Sequence, residues 1–191
     1  MTLLVLTAPS GAGKTTIARR LMDQVPGLRF SVSATTRAPR EGEIDDVHYH
    51  FLDAETFTQR IEAGDFLEYE EVYPGRFYGT LRPELERLAA RDDVRAVVLD
   101  IDVKGAVNVK GLYGDAALTL FVAPPGLKSL SDRLHARGTE TEAQIATRLE
   151  RAEMEMAAAP EFDAVVVNDD LEVAVAETVG VVREFLERHG A

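Results

Sequence analysis

A glycine-rich segment near the start of the chain, APSGAGKT at residues 8–15, has the composition of a phosphate-binding loop. Gly11 and Gly13 allow a tight turn whose successive backbone N–H groups point inward and can hold a polyphosphate. In loops of this type the lysine, here Lys14, reaches the β- and γ-phosphates, and the hydroxyl of Thr15 binds Mg²⁺. The segment therefore predicts a nucleotide-binding site.

Such a loop needs a strand before it and a helix after it, and the flanking sequence predicts both. Residues 2–7 form a short apolar run typical of a buried strand, and Ile17, Leu21 and Val25 recur at helical spacing. The direct succession of a strand, this loop and a helix argues against an ordinary glycine-rich turn. Ala8 stands where these loops usually have their first glycine, so we expect its backbone to avoid a positive φ.

Two arginines in a proline-containing loop, Arg37 and Arg40, are candidates for binding a second anion. A guanidinium group matches a pair of phosphate oxygens, which suits a phosphorylated substrate. A solvated loop with exposed arginines is the alternative, and the local sequence leaves both open.

Glu68 lies in an alternating segment, residues 66–73, that predicts a strand. Glu70 and Glu71 follow it closely, so a charged face exposed to solvent is the simplest interpretation. The chemical alternative is more specific. A carboxylate can accept the N1–H and 2-amino hydrogens of guanine side by side, whereas adenine would present an acceptor nitrogen to it.

Two aspartates, Asp100 and Asp102, follow the apolar run at residues 94–99. A strand period of two would put both carboxylates on one face at the carboxyl edge of a sheet. There they could contribute to a Mg²⁺ shell or contact a substrate. Capping of a following helix explains one aspartate but not both.

Three arginines occur on two consecutive predicted helices. Arg133 and Arg137 are one turn apart on the first helix, and Arg148 lies on the second, which a capping box of Thr141 and Gln144 begins. We interpret the helix pair as a lid whose closure excludes water and brings positive charge to a transferring phosphoryl group. A helical hairpin with solvated arginines is the alternative.

Composition limits the class of protein. The chain has 191 residues, 46% of them hydrophobic, a net charge of −12 and no cysteine. This predicts a folded chain without disulfides, and the acidic balance argues against nucleic acid or an anionic membrane as a partner. The first apolar run is too short for a signal peptide, and no run is long enough to span a bilayer. We therefore expect a cytoplasmic protein.

Residues 29–33 predict a second short strand after the first helix. Further apolar runs at residues 94–99, 118–122 and 162–167 alternate with helical patterns. This alternation predicts an α/β fold with a parallel core sheet of about five strands and helices on both faces. Residues 33–81 predict mostly short strands, which we interpret as an insert over the main sheet. The expected division of the single domain is a core (1–32, 82–125 and 149–191), this insert (33–81) and the lid (126–148).

Several further segments, taken with the residues above, resemble the guanylate kinase family of P-loop kinases. In the order of the family, the matching segments are SATTRAPR (33–40), DFLE (65–68), FYGT (77–80), LDID (99–102), RGTETE (137–142) and NDD (168–170). The likeness spans roughly residues 3–188. The phosphate-binding loop is shared by many kinases and GTPases, whereas TTRxPR with the later YGT is specific. The turn from Tyr69 to Gly75 is one residue longer than is usual in the family.

The resemblance implies a three-layer P-loop kinase fold with an inserted mixed β/α subdomain that binds a nucleoside monophosphate, and a helical lid. It implies transfer of the γ-phosphoryl group of ATP to GMP with Mg²⁺ as cofactor, by a monomer or homodimer. The implied ATP-binding residues are Ser10, Gly11, Ala12, Gly13, Lys14, Thr15, Thr16 and Asn168. The implied GMP-binding residues are Ser33, Arg37, Arg40, Tyr49, Glu68, Tyr78, Thr80 and Asp102. The implied catalytic cations are Lys14, Arg40, Arg133, Arg137 and Arg148, and the implied metal-binding residues are Thr15 and Asp100.

Two other functions are compatible with parts of this pattern. The first is a related P-loop kinase acting on a ribose bisphosphate-type substrate, which would not need residues that read a base, such as Glu68. The second is a non-catalytic guanylate-kinase-like binding module, in which an intact Gly-Lys-Thr sequence at residues 13–15 would be unusual.

Overall fold

The computed structural model describes residues 1–138 and 140–189, without the side chain of Arg137. Its strands are β1 (Leu3–Thr7), β2 (Leu28–Phe30), β3 (Ala34–Thr35), β4 (His50–Phe51), β5 (Phe66–Tyr73), β6 (Arg76–Leu81), β7 (Ala96–Asp100), β8 (Ala117–Ala123) and β9 (Ala164–Val167). Its helices are α1 (Lys14–Gln24), α2 (Ala54–Glu62), α3 (Arg82–Ala89), α4 (Val103–Tyr113), α5 (Leu127–Arg137), α6 (Glu142–Ala157) and α7 (Leu171–Arg188). No helix within these described ranges is both long enough and apolar enough to cross a membrane.

Five parallel strands form the main sheet, in the order β2-β7-β1-β8-β9. Helices α1 and α7 pack on one face, around Ile17 and Val179, and helices α3 and α4 pack on the other, around Leu85 and Val109. Every residue of the central strand β1 is therefore buried. The predicted α/β class and five-stranded parallel sheet are confirmed.

Parallel pairing determines which loops meet at the edge of this sheet. Leu6 of β1 lies opposite Asp100 at the end of β7. The glycine-rich loop that follows β1 and the acidic end of β7 consequently share one edge. Open parallel sheets bind their ligands at this carboxyl edge.

A second, four-stranded sheet has the order β4-β3-β6-β5 and lies within residues 33–81, the range predicted to be strand-rich. Helix α2 covers it and begins at Asp53, whose side chain accepts a hydrogen bond from the Thr56 N–H at 2.7 Å. The ring of Phe57 stacks on Phe66 with centroids 4.4 Å apart. The division of the chain into core, insert and lid stays a prediction.

The run at residues 29–33, predicted as one strand, is divided between the two sheets. Strand β2 ends at Phe30, and the Ser31 N–H still donates to the neighbouring strand β7. Two residues later, the Ser33 carbonyl accepts from His50 of β4. Extended propensity alone does not specify the partner strand, so this change of sheet could not be predicted.

Helices α5 and α6 form a pair that rests on the glycine-rich loop. Helix α5 ends at Gly138, whose φ is +64°, and α6 begins with the predicted capping box, in which Thr141 and Gln144 exchange hydrogen bonds. Leu130 of α5 is fully buried, and a Cβ atom placed on Gly11 would lie only 2.9 Å from its Cδ1 atom. Gly11 thus permits close packing of α5 on the loop.

The second sheet depends on one small apolar cluster, so a single truncation should weaken it. Phe57→Ala removes a buried ring that packs on Phe66 and Phe77. We expect the free energy of unfolding to fall by about 3–5 kcal/mol. Urea denaturation followed by circular dichroism measures this change. The control Leu112→Ala, at an exposed position, should change it by about 0.5 kcal/mol or less; equal losses in both variants would contradict the expectation.

Candidate active site

A cavity of about 360 Å³ opens between the glycine-rich loop and the second sheet, beside the carboxyl ends of β1 and β7. Most residues singled out from the sequence line it: Ser10, Gly11, Gly13, Lys14, Thr15, Thr16, Ser33, Arg40, Tyr49, Glu68, Tyr78, Asp100, Asp102 and Arg148. Five others do not line it: Ala12, Arg37, Thr80, Arg133 and Asn168. The side chain of Arg137, also predicted to act here, lies outside the described residues.

The glycine-rich loop has the backbone that its sequence predicts. Gly11 and Gly13 have φ angles of +99° and +97°, in the left-handed region that favours glycine. A Cβ atom on Gly13 would also lie 2.3 Å from Nδ2 of Asn168. Among described non-glycine residues only Asp46 has a positive φ, so Ala8 keeps an ordinary backbone, as expected. Because α1 begins at Lys14, its N-terminal end faces the cavity.

Asn168 and Arg133 support this loop from outside the main cavity. The side-chain amide of Asn168 donates to the Ala12 carbonyl at 2.7 Å, and the Arg133 guanidinium donates to the Asn168 carbonyl at 2.8 Å. Both side chains line a smaller cavity with Gly11, Gly13 and Thr16. They act on the shape of the loop, a role that helix spacing did not predict for Arg133.

Lys14 and Asp100 form an ion pair at the shared edge of β1 and β7. The Lys14 Nζ atom lies 2.5 Å from Asp100 Oδ1 and donates to the Ile101 carbonyl at 2.9 Å. Thr15 and Asp100 both line the cavity and carry side-chain oxygen atoms. Magnesium prefers such oxygen ligands and commonly uses one or two carboxylates together with substrate phosphates. The residues present therefore fit a Mg²⁺ ion that arrives with a nucleotide.

Glu68 is not on a solvent-exposed face: it is 7% exposed and lines the cavity. Its Oε1 atom accepts a hydrogen bond from the Thr80 hydroxyl at 2.6 Å. Burial raises the pKa of Glu68, the Thr80 hydrogen bonds oppose this rise, and the Asp102 and Glu70 charges add to it, so that the pKa is about 7. Gly105 allows this position, since a Cβ atom there would lie 2.6 Å from Glu68 Oε2.

The two arginines of the 37–40 loop have different surroundings. Arg40 lines the cavity, and its guanidinium donates no hydrogen bond to the described part of the chain. Arg37 is largely buried and donates to both carboxylate oxygens of Glu43, at 2.7 and 2.9 Å. Its guanidinium carbon also lies 5.1 Å from the centre of the Tyr49 ring. Arg37 therefore anchors the loop behind the cavity surface.

Glu43 is a residue of this loop that the sequence analysis missed. It accepts from the Arg40 backbone N–H at 2.7 Å in addition to its two bonds from Arg37. The Arg37 hydrogen bonds lower the pKa of Glu43 to about 2 despite partial burial. A carboxylate six residues after an arginine in a loop has no regular spacing, so no sequence pattern identifies the pair.

The two aspartates that follow residues 94–99, Asp100 and Asp102, also have different surroundings. Strand β7 ends at Asp100, so the expectation that a strand period relates the two carboxylates is wrong for Asp102. Asp102 caps α4 through the Gly105 N–H at 2.9 Å, as the capping alternative allowed. Its other oxygen lies 3.4 Å from the Arg151 guanidinium, and the residue still lines the cavity.

Arg148 of α6, one of the arginines predicted to act on the phosphoryl group, lines the main cavity. Its guanidinium donates to the Ser10 hydroxyl at 2.6 Å and pairs with Glu140 at 3.3 Å. It therefore links α6 to the glycine-rich loop across the site. Five further lining residues have no sequence signal that distinguishes them from surface residues: Glu70, Val72, Tyr73, Arg151 and Glu155.

Comparison with known proteins agrees with this geometry. The family model described as guanylate kinase matches residues 1–188. The chain is 60% identical to a guanylate kinase of Salinibacter ruber, with 96% of each chain covered, and 49% identical to one of Bacteroides thetaiotaomicron, with 97% of this chain and 90% of the relative covered. A crystal structure of guanylate kinase from Anaplasma phagocytophilum superposes with a TM-score of 0.78 at 31% identity, covering 96% of this chain and 85% of that one. The chain belongs to the guanylate kinase family.

Proposed function

We propose that this protein transfers the γ-phosphoryl group of MgATP to GMP, giving ADP and GDP. The observation that carries the proposal is one cavity with two different ends. Lys14, Arg148 and the glycine-rich loop form one end, whereas Arg40 and the buried Glu68 belong to the other. A phosphate donor and a guanine-bearing acceptor can therefore meet within a single cavity.

At the donor end, main-chain N–H groups of the loop and the N-terminus of α1 hold the ATP phosphates. Lys14 contacts the β- and γ-phosphates. Thr15 and Asp100 would hold Mg²⁺, which would neutralise part of the phosphate charge. Asn168 keeps Ala12 in place beneath them through its 2.7 Å hydrogen bond.

At the acceptor end, Glu68 accepts the N1–H and 2-amino hydrogens of guanine. Thr80 orients the carboxylate through its 2.6 Å hydrogen bond, and Ser33 and Asp102 complete the base site. Arg40, Tyr49 and Tyr78 all line the cavity. Their guanidinium and hydroxyl groups bind the GMP phosphate. Arg37 holds this loop in shape from behind.

The acceptor phosphate is already a nucleophile, so transfer requires no strong general base. An oxygen of GMP attacks the γ-phosphorus, and the bond to the ADP oxygen breaks. Lys14, Arg40 and Arg148 stabilise the negative charge that spreads over the transferring group. The α5–α6 pair over the loop reduces access of water, which would otherwise compete as acceptor.

The position of Glu68 is evidence against a ribose bisphosphate-type substrate. A buried carboxylate with a raised pKa is unfavourable for binding a phosphorylated sugar, which offers no paired N–H donors to it. The Lys14–Asp100 pair and the glycine conformations favour a catalyst over a binding module, since both serve a bound triphosphate.

A coupled assay for ADP tests the acceptor. With ATP and each of four monophosphates, GMP should be turned over at ordinary kinase rates, about 1–100 s⁻¹. We expect AMP, CMP and UMP to be poor acceptors, because none presents two adjacent N–H donors to Glu68. Equal turnover of AMP and GMP would contradict the proposed specificity.

Substitution of Glu68 tests how the base is read. Glu68→Gln places an amide group where one guanine N–H needs an acceptor, so kcat/KM for GMP should fall roughly 10²–10⁴-fold. Steady-state kinetics with GMP at saturating ATP measure the loss. An unchanged kcat/KM would mean that other residues read the base.

The raised pKa of Glu68 adds a pH dependence. Only the ionised carboxylate accepts both N–H groups, so with a pKa of about 7 the KM for GMP should be about tenfold higher at pH 6 than at pH 8. Because the folded-state pKa lies above the ordinary value of 4.5, ionisation of Glu68 should lower the free energy of unfolding as pH rises from about 4.5 to 7. The Glu68→Gln variant should lack both contributions, and its KM for GMP should retain the pH dependence that comes from titration of GMP itself.

Two glycines of α4 provide a matched pair of substitutions. Gly105→Ala would place a Cβ atom 2.6 Å from Glu68 Oε2 and should move the carboxylate, raising the KM for GMP about tenfold or more. Gly111→Ala meets no atom within 4 Å and should leave the KM unchanged while stabilising the helix slightly. Kinetics and thermal unfolding of both variants provide the comparison. An equal KM in the two would show that the Glu68 position does not limit GMP binding.

A further inference from the structure

One side chain connects three segments around the cavity. Arg151 of α6 donates from Nη1 to the Val72 carbonyl at 2.6 Å and from Nε to Glu155 at 2.7 Å, and its Nη2 atom lies 3.4 Å from Asp102 Oδ2. Its guanidinium carbon lies 5.7 Å from the centre of the Tyr73 ring. Arg151 thereby joins α6 to the end of β5 and to the start of α4.

The Val72 carbonyl is available because the β5–β6 ladder is irregular at this point. The register shifts between Glu71 and Tyr73, so Val72 has no opposite residue in the described ladder. A bulge of this kind leaves backbone groups free for another partner. It falls in the segment that the sequence analysis expected to be one residue longer than usual, and Arg151 provides its partner.

Arg151 also places positive charge in an acidic part of the cavity, whose carboxylates are Glu68, Glu70, Asp102 and Glu155. Burial raises the pKa of Glu155, and the Arg151 hydrogen bond opposes that rise. Loss of the guanidinium would leave the Asp102 and Glu155 carboxylates without this neighbouring charge. The contacts of Arg151 therefore balance the charge of these carboxylates as well as linking the segments.

The geometry argues against a direct phosphate contact by Arg151. Its Nε, Nη1 and Nη2 atoms each face an acceptor from the protein. Arg40, which also lines the cavity, differs because its guanidinium makes no hydrogen bond within the described residues. Arg151 thus acts on the position of protein segments.

We propose that Arg151 is a positioning residue for the acceptor site, which ties the end of the β5–β6 hairpin to the core next to Asp102. The proposal rests on the function proposed above, with GMP as acceptor. Glu68 lies on β5, four residues before Val72, and Tyr78 lies on the paired strand β6. Holding the hairpin end fixes where these side chains stand, so less ordering remains when GMP binds.

The test compares substrates within the same variants. Arg151→Ala should raise the KM for GMP about tenfold through loss of a charge-assisted hydrogen bond, while the KM for ATP changes by about twofold or less because the donor loop is supported by other residues. Arg151→Lys, which keeps the charge but cannot span all three acceptors, should recover part of the loss. Titration calorimetry with GMP provides the same comparison without turnover.

Two further variants control the experiment. Arg183→Ala removes another arginine that donates to a backbone carbonyl, that of Gln24, away from the cavity, and its KM for GMP should match the wild type. Arg151→Gln repeats the main comparison with a side chain longer than alanine, so the test does not depend on folding of the Arg151→Ala variant. Unchanged GMP binding in both Arg151→Ala and Arg151→Gln would overturn the proposal, as would equal losses for ATP and GMP. A wild type that does not turn over GMP would instead contradict the proposed function.

Discussion

The main-chain conformation between β1 and α1 depends on contacts from segments far along the chain. Asn168, after β9, donates to the Ala12 carbonyl, and Arg133 of α5 reaches the Asn168 carbonyl in turn. Leu130 packs on Gly11 from the same helix. Two glycines permit the turn, but the tertiary contacts select it, because a buried carbonyl needs a partner. The donor site is therefore a property of the whole core.

Three of the cations that line the cavity are held by carboxylates, which is how an acidic chain can present positive charge at a chosen place. Lys14 pairs with Asp100, Arg148 with Glu140, and Arg151 with Asp102 and Glu155. These partners fix the orientation of long side chains and so reduce the entropy lost when an anion binds. The net charge of −12 describes the surface as a whole, whereas the site depends on local pairing.

Predictions from sequence succeeded where neighbouring residues determine the structure. The bounds of β5 and the capping box at Thr141 agree with the structure, since each depends on residues within one strand or one turn. The parallel sheet was also predictable, because buried strands read as continuous apolar runs. The prediction that residues 29–33 form one strand was wrong, because pairing partners are not encoded in local propensity.

The sequence by itself determined the phosphate-binding loop, the strand and helix that flank it, and the set of residue types available for a second anion and a base. Only the tertiary structure decided that Arg40 faces the cavity while Arg37 pairs with Glu43, and that Glu68 is buried beside Gly105. It also revealed Arg151, whose three partners are distant from one another in the chain. The physical reason is the separation along the chain of the residues that interact. Backbone conformation responds to adjacent residues, whereas burial, charge pairing and hydrogen-bond partners are determined by segments that meet only in the folded chain.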